Sequence, residues 1–407
     1  MKMKTAGFAA IGLLLAVSGP ARAGGFAIAE QSASAGGAGG TGAAREDDPS
    51  AAWYNPAALV DGAGVRIGAG LTAAMASLRA EAMDGSWSAD TEGGAAPLPS
   101  LQASWAGGDL AAGLSLGIPF GASVAWPEDW AGRHEIIASR IMVVRAAPFV
   151  GWRRGPWRVA GGLHVDTGEM RLRRSLDFID TEGDVQLSLR GTGVGLHLAA
   201  FVRAAEQADG HLDLGLTYKS RTSIELDGEA DFTTPDAFSL KAADQEASSS
   251  LTLPDRLTAG AAWQRGARTF LADLELTAWQ VRDQVVIDFA REETPDVTQQ
   301  ADWNATVTVR GGAEWRGGPW VARGGLYRDP SPSPTATLSP SSPDSSRLGG
   351  SLGIGRALGA SWAVDAFYGY LHLDERASEN PDSMAARYGG HAHLVGAGLR
   401  YQQSSSR

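Results

Sequence analysis

The sequence predicts an all-β protein: a closed, 14-stranded antiparallel transmembrane β-barrel with an N-terminal plug inside its lumen. Three observations predict it. Period-2 alternation is sustained from Val65 onward, connections alternate between tight and long, and tryptophans gather at the tight ones. Successive side chains of a strand point to opposite faces, so alternation marks half-buried strands. Trp157, Val159, Gly161, Leu163 and Val165 take one face, and Arg158, His164 and Asp166 the other. Trp303, Ala305, Val307, Val309, Ala313 and Trp315 likewise oppose Thr306, Thr308, Arg310 and Glu314. A soluble sandwich alternates too, so the choice rests on the other two observations.

Tight turns fall at Gly107-Gly108, Arg153 to Pro156, Arg265 to Arg268, Arg316 to Pro319 and Ala357 to Ser361, with a longer one from Ala204 to Gly210. Between them run long polar stretches: Arg79 to Pro99, Phe120 to Ile136, Arg173 to Gly183, Asp227 to Ser248, Ala290 to Ala301, Arg328 to Ser345 and Asp374 to Gly389. Seven long loops and six short turns make fourteen strands, with both termini at the short-turn end. Outer-membrane barrels have this form, the short turns and hence both termini being periplasmic. Trp105, Trp152, Trp157, Trp263, Trp315, Trp320 and Trp362 each lie within two residues of a short turn, on the apolar face of their strand. Indole combines an apolar body with an N–H donor and prefers the membrane–water boundary, so these residues draw one aromatic girdle.

Composition excludes several classes. A net charge of −11 lacks the basic footprint of nucleic-acid binding. The absence of cysteine excludes disulfide scaffolds and thiolate metal sites. Lys2, Lys4, the apolar run Ala6 to Val17 and Ala21-Arg22-Ala23 form a secretory signal over residues 1–23. Its apolar run is shorter than the ~20 residues a spanning helix needs. Gly24 to Gly64 is crowded with Gly, Ala and Ser, lacks alternation, and is placed inside the barrel as the plug (24–64). The barrel is expected over 65–402 and a short polar tail over 403–407.

Gly25-Phe26, Glu30-Gln31-Ser32 and Asp47-Asp48-Pro49-Ser50-Ala51-Ala52-Trp53-Tyr54-Asn55-Pro56-Ala57-Ala58-Leu59 resemble one family, the long-chain fatty acid transporters of the bacterial outer membrane with their relatives for aromatic hydrocarbons. Trp130-Ala131-Gly132-Arg133-His134 is similar to its Trp-x-Gly-Arg-Tyr, and Tyr218-Lys219-Ser220 to its Tyr-Arg-Ser. Leu253-Pro254-Asp255 recurs before the eighth strand, and Asp329-Pro330-Ser331-Pro332 with Pro343-Asp344-Ser345-Ser346-Arg347 resembles a late loop. The resemblance implies a fourteen-stranded barrel with a hatch, and ligand docking among external loops before entry into a greasy lumen pocket. It implies Gly25, Phe26, Glu30, Asn55, Pro56 and Ala57 as pocket and hatch residues, and exit beside a kinked third strand into the membrane. The partners implied are a hydrophobic small molecule and outer-membrane lipid. His134 departs from the expected Tyr, and the chain ends in a polar stretch after Tyr401 rather than on an aromatic residue.

The third strand has its own physical reading. Leu110, Ala112, Leu114, Leu116 and Ile118 form a lipid face, and Ala111, Gly113, Ser115 and Gly117 point inward. Pro119 donates no ladder hydrogen bond, and interior glycine weakens pairing. Gly113, Ser115, Gly117 and Pro119 are therefore candidates for a lateral portal, or simply make room for the plug.

Other signals are set aside. Gly37-Ala38-Gly39-Gly40-Thr41-Gly42 fits G-x-G-x-x-G but has neither the preceding strand nor the following helix that a dinucleotide site requires. Asn55-Pro56 is also ordinary turn chemistry. His391 and His393 share a face, but two ligands do not make a metal site. The inward charges Arg145, Arg158, Asp166, Arg256, Asp273, Glu275, Arg310, Glu314 and Arg323 suit a polar lumen with charges paired across it. No Ser–His pair shares a motif, so neither catalytic residues nor cofactors are expected; the chain is read as a monomeric, non-enzymatic barrel. An adhesion or structural barrel is the alternative from outside transport.

Overall fold

The computed structural model describes residues 25–46, 48–178, 181–235 and 243–403. The expected signal peptide 1–23, Gly24, Asp47 of the sequence motif and residues 404–407 of the expected tail lie outside them. Fourteen strands follow in order: β1 (Gly64–Ala82), β2 (Ser88–Asp90, then Ala96–Gly107), β3 (Leu110–Ala125), β4 (Ala138–Arg154), β5 (Trp157–Asp177), β6 (Glu182–Gln207) and β7 (Gly210–Lys219, then Thr222–Thr233). Then come β8 (Gln245–Leu253, then Arg256–Arg265), β9 (Arg268–Thr277, then Gln284–Phe289), β10 (Val297–Gln300, then Thr306–Gly317), β11 (Trp320–Asp329), β12 (Arg347–Leu358), β13 (Trp362–Ala377) and β14 (Ala386–Gln402).

Each strand pairs antiparallel with its chain neighbours, and β1 closes on β14 from Arg66↔Gln402 to Ala82↔Ala386. Closure joins the last strand to the first, as a sheet in lipid requires, while the β2–β3 ladder runs only from Gly107↔Leu110 to Leu101↔Leu116. The short turns stand where the sequence places them. Gly155 (φ 62°) and Gly318 (φ 56°) adopt left-handed backbone at two of them, a conformation a side chain would disfavour. No helix among the described residues is long and apolar enough to cross a membrane.

The wall wears its apolar face outward. Leu163, Val194 and Leu352 are 59–70 % exposed, and the seven turn-side tryptophans are all exposed on the same rim. The inward charges are buried and paired: Arg145 with Asp166 at 2.6 Å, Arg256 with Glu275 at 2.7 Å, and Arg323 with Glu314 at 3.0 Å and Asp365 at 2.6 Å.

Three expectations need correction. Ile118 is buried rather than lipid-facing, because the β3–β4 register shifts between Gly117 and Phe120 and reverses the phase. Trp303 shares the parity of Trp315 but is buried, because β10 is interrupted between its two parts. Similar interruptions cross β7, β8 and β9, so four adjacent strands break side by side. Leu253-Pro254-Asp255 thus lies within the eighth strand rather than before it.

Residues 25–46 and 48–62 pack against the inner face of the wall on several sides. The segment carries two one-turn helices, α1 (Ala33–Gly36) and α2 (Ala51–Tyr54), and a 3₁₀ turn (Pro56–Leu59). Ser32 caps α1 by accepting from the Ala35 N–H at 3.1 Å. Small residues let its backbone approach the wall closely: a Cβ on Gly37 would stand 2.8 Å from Gly353 Cα, and one on Gly325 would stand 2.2 Å from Gly39 N.

Candidate functional site: an aromatic chamber and a stitched strand break

The strand interruptions deliver two tryptophans into the lumen. Trp279, on a 3₁₀ turn between the halves of β9, and Trp303, between the halves of β10, meet edge to face with centroids 5.1 Å apart. Phe26 enters from the N-terminal segment and sits 4.9 Å from Trp279, 5.8 Å from Trp303 and 5.7 Å from Phe120. Gly25 has φ 59°, and a Cβ there would come within 2.7 Å of the Trp303 ring, so glycine is what lets Phe26 reach this position. Leu189, Ile224, Leu226, Leu251 and Leu253 pack around the four rings as one buried apolar cluster, here termed the aromatic chamber.

Two guanidinium groups face these rings: Arg256 stands 5.7 Å over Phe120 but is paired with Glu275, whereas Arg282 is not so paired among the described residues. The Arg282 guanidinium lies 5.4 Å from the centroid of Phe26 and 5.0 Å from that of Trp303, within cation–π range. Its Nε is buried without a hydrogen-bond partner, and no carboxylate pairs with it among the described residues. Below the chamber, Lys219, Arg256, Glu275 and Arg310 line a small polar cavity of about 30 Å³ with Trp53 and Tyr54. A larger concavity of about 630 Å³, lined by Leu71, Trp320, Ile354 and Leu399, lies on the outward face of the wall.

The same N-terminal segment bonds to the break in β3. Ala27 bridges Phe120, the Ile28 N–H donates to Pro119 O at 2.9 Å, and the Gly121 N–H donates to Phe26 O at 2.8 Å. Gln31 donates to Ile118 O at 2.7 Å and accepts from the Ile118 N–H at 3.1 Å. Backbone groups that the β3–β4 ladder leaves free are thus satisfied from inside the barrel, as buried amides must be.

The remaining sequence candidates divide clearly. Asn55 Nδ2 donates to Ala43 O at 2.7 Å and Ala200 O at 3.0 Å, tying the segment to β6, while its Oδ1 caps the 3₁₀ turn that Pro56 and Ala57 begin. Tyr327 donates to Glu30 at 3.2 Å, and neither Glu30 nor Asn55 reaches the chamber. Gly117 stands at the break under Gln31 and Trp53. Gly113 pairs with Phe149 in intact ladder, where a Cβ would meet the Phe149 ring at 2.7 Å. Ser115 is buried, also below the break. Sequence reading missed Trp279, Trp303 as a lumen residue, and Arg282. The available signal was two tryptophans far from any short turn.

At the long-loop end, Trp126 and Trp130 stack at 4.9 Å and donate to Pro340 O and Ile136 O. The late-loop motif closes on itself: Ser331 donates to the Asp344 carboxylate, and Arg376 donates to Ser331 Oγ at 2.6 Å. Burial raises the Asp344 carboxyl above its ordinary range, against the opposing pull of Arg347.

A closed antiparallel barrel with an outward apolar band, an aromatic girdle and an N-terminal segment packed on its inner face has the architecture of an outer-membrane barrel. The chain belongs to the outer membrane protein transport protein family (OMPP1/FadL/TodX), whose model matches residues 14–403. Among solved structures it is similar to a Pseudomonas aeruginosa FadL homologue (TM-score 0.81, 18 % identity, 93 % of this chain and 99 % of that one). It is also similar to the toluene transporter TodX of P. putida (TM-score 0.72, 14 % identity, 91 % and 97 %). A third is the monoaromatic hydrocarbon channel CymD (TM-score 0.68, 18 % identity, 94 % and 99 %). At these identities the likeness speaks for the fold. No curated protein matches the chain in sequence.

Proposed function

We propose that the protein carries long-chain fatty acids passively across the outer membrane as a monomer, with both termini periplasmic. The ligand binds in the aromatic chamber and leaves sideways at the β3 break. Polar lipopolysaccharide retards apolar solutes, and a water-filled pore offers them no favourable path. An apolar chamber with one oriented polar group does, as ligand sites generally do. Arg282 is the observation that supports a fatty acid over a neutral hydrocarbon. A cation set among rings without a carboxylate partner is complementary to the head of an amphiphile, while the tail takes the apolar volume. Arginine stays charged at physiological pH, so the preference holds throughout that range.

Phe26 forms one wall of the chamber and belongs to the same N-terminal segment that stitches the β3 break, so a ligand seated against it acts on that stitch. Gly117 and Pro119, at the break, are the portal residues this route uses; Gly113 and Ser115 support the wall beneath it. Filling the chamber therefore loosens the wall.

Equilibrium binding of a fluorescent long-chain fatty acid to purified protein in detergent tests the reading. Arg282→Gln is expected to weaken binding roughly ten- to hundredfold, the worth of a charged hydrogen bond at about 1.5–3 kcal/mol. Competition by toluene should be weak in the wild type. Phe26→Ala should weaken binding as well, since it removes one wall of the chamber. Strong toluene competition together with unchanged binding by Arg282→Gln would instead make aromatic hydrocarbons the substrate. Absence of saturable binding to either compound would favour the adhesion alternative.

A further inference from the structure

The pair His391 and His393, two residues apart on β14, gains a third member from the neighbouring strand. His372 of β13 stands directly opposite His391 in the register, with Tyr370 opposite His393. All three histidines have the parity of the outward face, alongside exposed Tyr368, Tyr370 and Val395; Phe367, Leu371, Ala392 and Leu394 point inward. Directly paired residues on one face of a sheet have Cβ atoms about 5 Å apart. The strands therefore present three imidazoles from one compact patch. The His391 and His393 ring centroids are 5.4 Å apart.

Height matters as much as grouping. His372 follows Trp362 of the girdle by ten positions. At ~3.4 Å per residue and a tilt of ~40° this is about 26 Å, the height of a barrel's apolar band. The patch thus sits at the long-loop boundary of the band, within reach of water and ions. Polar side chains deep in a lipid-facing wall would be costly; at this boundary they are not.

We infer that His372, His391 and His393 form a surface site for a divalent transition-metal ion of the zinc class, with water completing the coordination. Imidazole suits Zn²⁺, Cu²⁺ and Ni²⁺, and three protein nitrogens with an open fourth position is a recognised zinc arrangement. One of the three rings has an outer partner. The Tyr368 hydroxyl lies 2.8 Å from His393 Nδ1. When that nitrogen donates to it, Nε2 is left as the metal-binding atom, the usual role of an outer-shell partner. His372 Nε2 stands 4.0 Å from Asp374 Oδ1, and its side chain is 59 % exposed, so the ring is free to turn towards the pair. His391 forms no hydrogen bond among the described residues.

A competing trio lies elsewhere. Glu46, His211 and Asp213 already bring ligand atoms within 4.8 Å of one another. Arg203, however, donates to Asp213 at 2.9 Å and to Glu46 at 2.5 Å, supplying the positive charge that an ion would otherwise bring. That group reads as a clasp holding the N-terminal segment to the wall.

Zn²⁺ titration of the purified, folded full-length barrel in detergent decides between them. The expected result is one saturable Zn²⁺ site, lost in His391→Ala and in His372→Ala and kept in His211→Ala. Co²⁺ in the same site should show the absorption bands of tetrahedral nitrogen ligation. The changed side chains face outward, and heat-modifiable gel mobility verifies that each variant is folded. No saturable binding to the wild type overturns the proposal. So does binding that survives both β13 and β14 variants, or binding that is lost in His211→Ala.

Discussion

Glu314→Leu is expected to cost about 3–5 kcal/mol of stability, the penalty of leaving buried charges without their partner. Glu314 is ion-paired with Arg45 of the N-terminal segment at 2.7 Å and accepts from Arg323 of β11 at 3.0 Å, and all three are nearly inaccessible to solvent. Removing the carboxylate leaves two guanidinium groups sharing what remains. Arg323 keeps Asp365 at 2.6 Å, and Arg45 keeps Asp48 at 3.8 Å. The wall would be weakened and the segment loosened by one substitution. Urea unfolding from lipid vesicles measures the first effect, and protease sensitivity of residues 25–62 the second. Arg316→Gln is the control: its contact with Glu314 is 3.4 Å and its side chain is 42 % exposed, so a change within about 0.5 kcal/mol is expected. If Glu314→Leu were as stable as the wild type, the lumen charges would have to serve something other than structure.

Much of this architecture was legible because it obeys a short-range rule. Period 2 specifies which face meets lipid, and the seven exposed tryptophans at the short turns follow directly from it. So does the strand count, since tight and long connections alternate without exception. The rule fails where the ladder fails. Trp303 has outward parity yet points inward, because a five-residue interruption (301–305) resets the phase. Parity also places Ile118 in lipid, but the shifted register at Gly117/Phe120 buries it. Pro119 marked the break in β3 in advance, whereas the interruptions of β7 to β10 went unmarked. The chamber is built from these exceptions. Phe26 could be named from the resemblance, whereas Arg282 could not, since its importance lies in which rings surround it and which carboxylates do not. His372 was invisible as a partner for the same reason: register across β13 and β14 is a long-range fact.

The β3 break is where structure and transport meet, and Gln31→Ala tests the connection. The Gln31 side chain satisfies both the N–H and the C=O of Ile118. Truncation leaves two buried backbone groups unpaired, at about 1–3 kcal/mol each. Even the lower sum, ~2 kcal/mol, corresponds to about thirtyfold in the population of locally opened molecules, since 1.4 kcal/mol is tenfold. Amide exchange at Ile118, Phe120 and Gly121 should therefore accelerate by at least that factor, while amides of β11 and β12 on the far wall keep their wild-type protection. Gln31→Glu separates the two bonds, because a carboxylate still accepts from the Ile118 N–H but no longer donates to Ile118 O. Its exchange should fall between wild type and Gln31→Ala. If the break is the exit, solute release into vesicles should rise with exchange across the three proteins. Faster exchange with unchanged release would make the stitch purely structural and move the exit elsewhere on the wall. Unchanged exchange would mean that the bridge at Ala27 and Phe120 holds the break without Gln31.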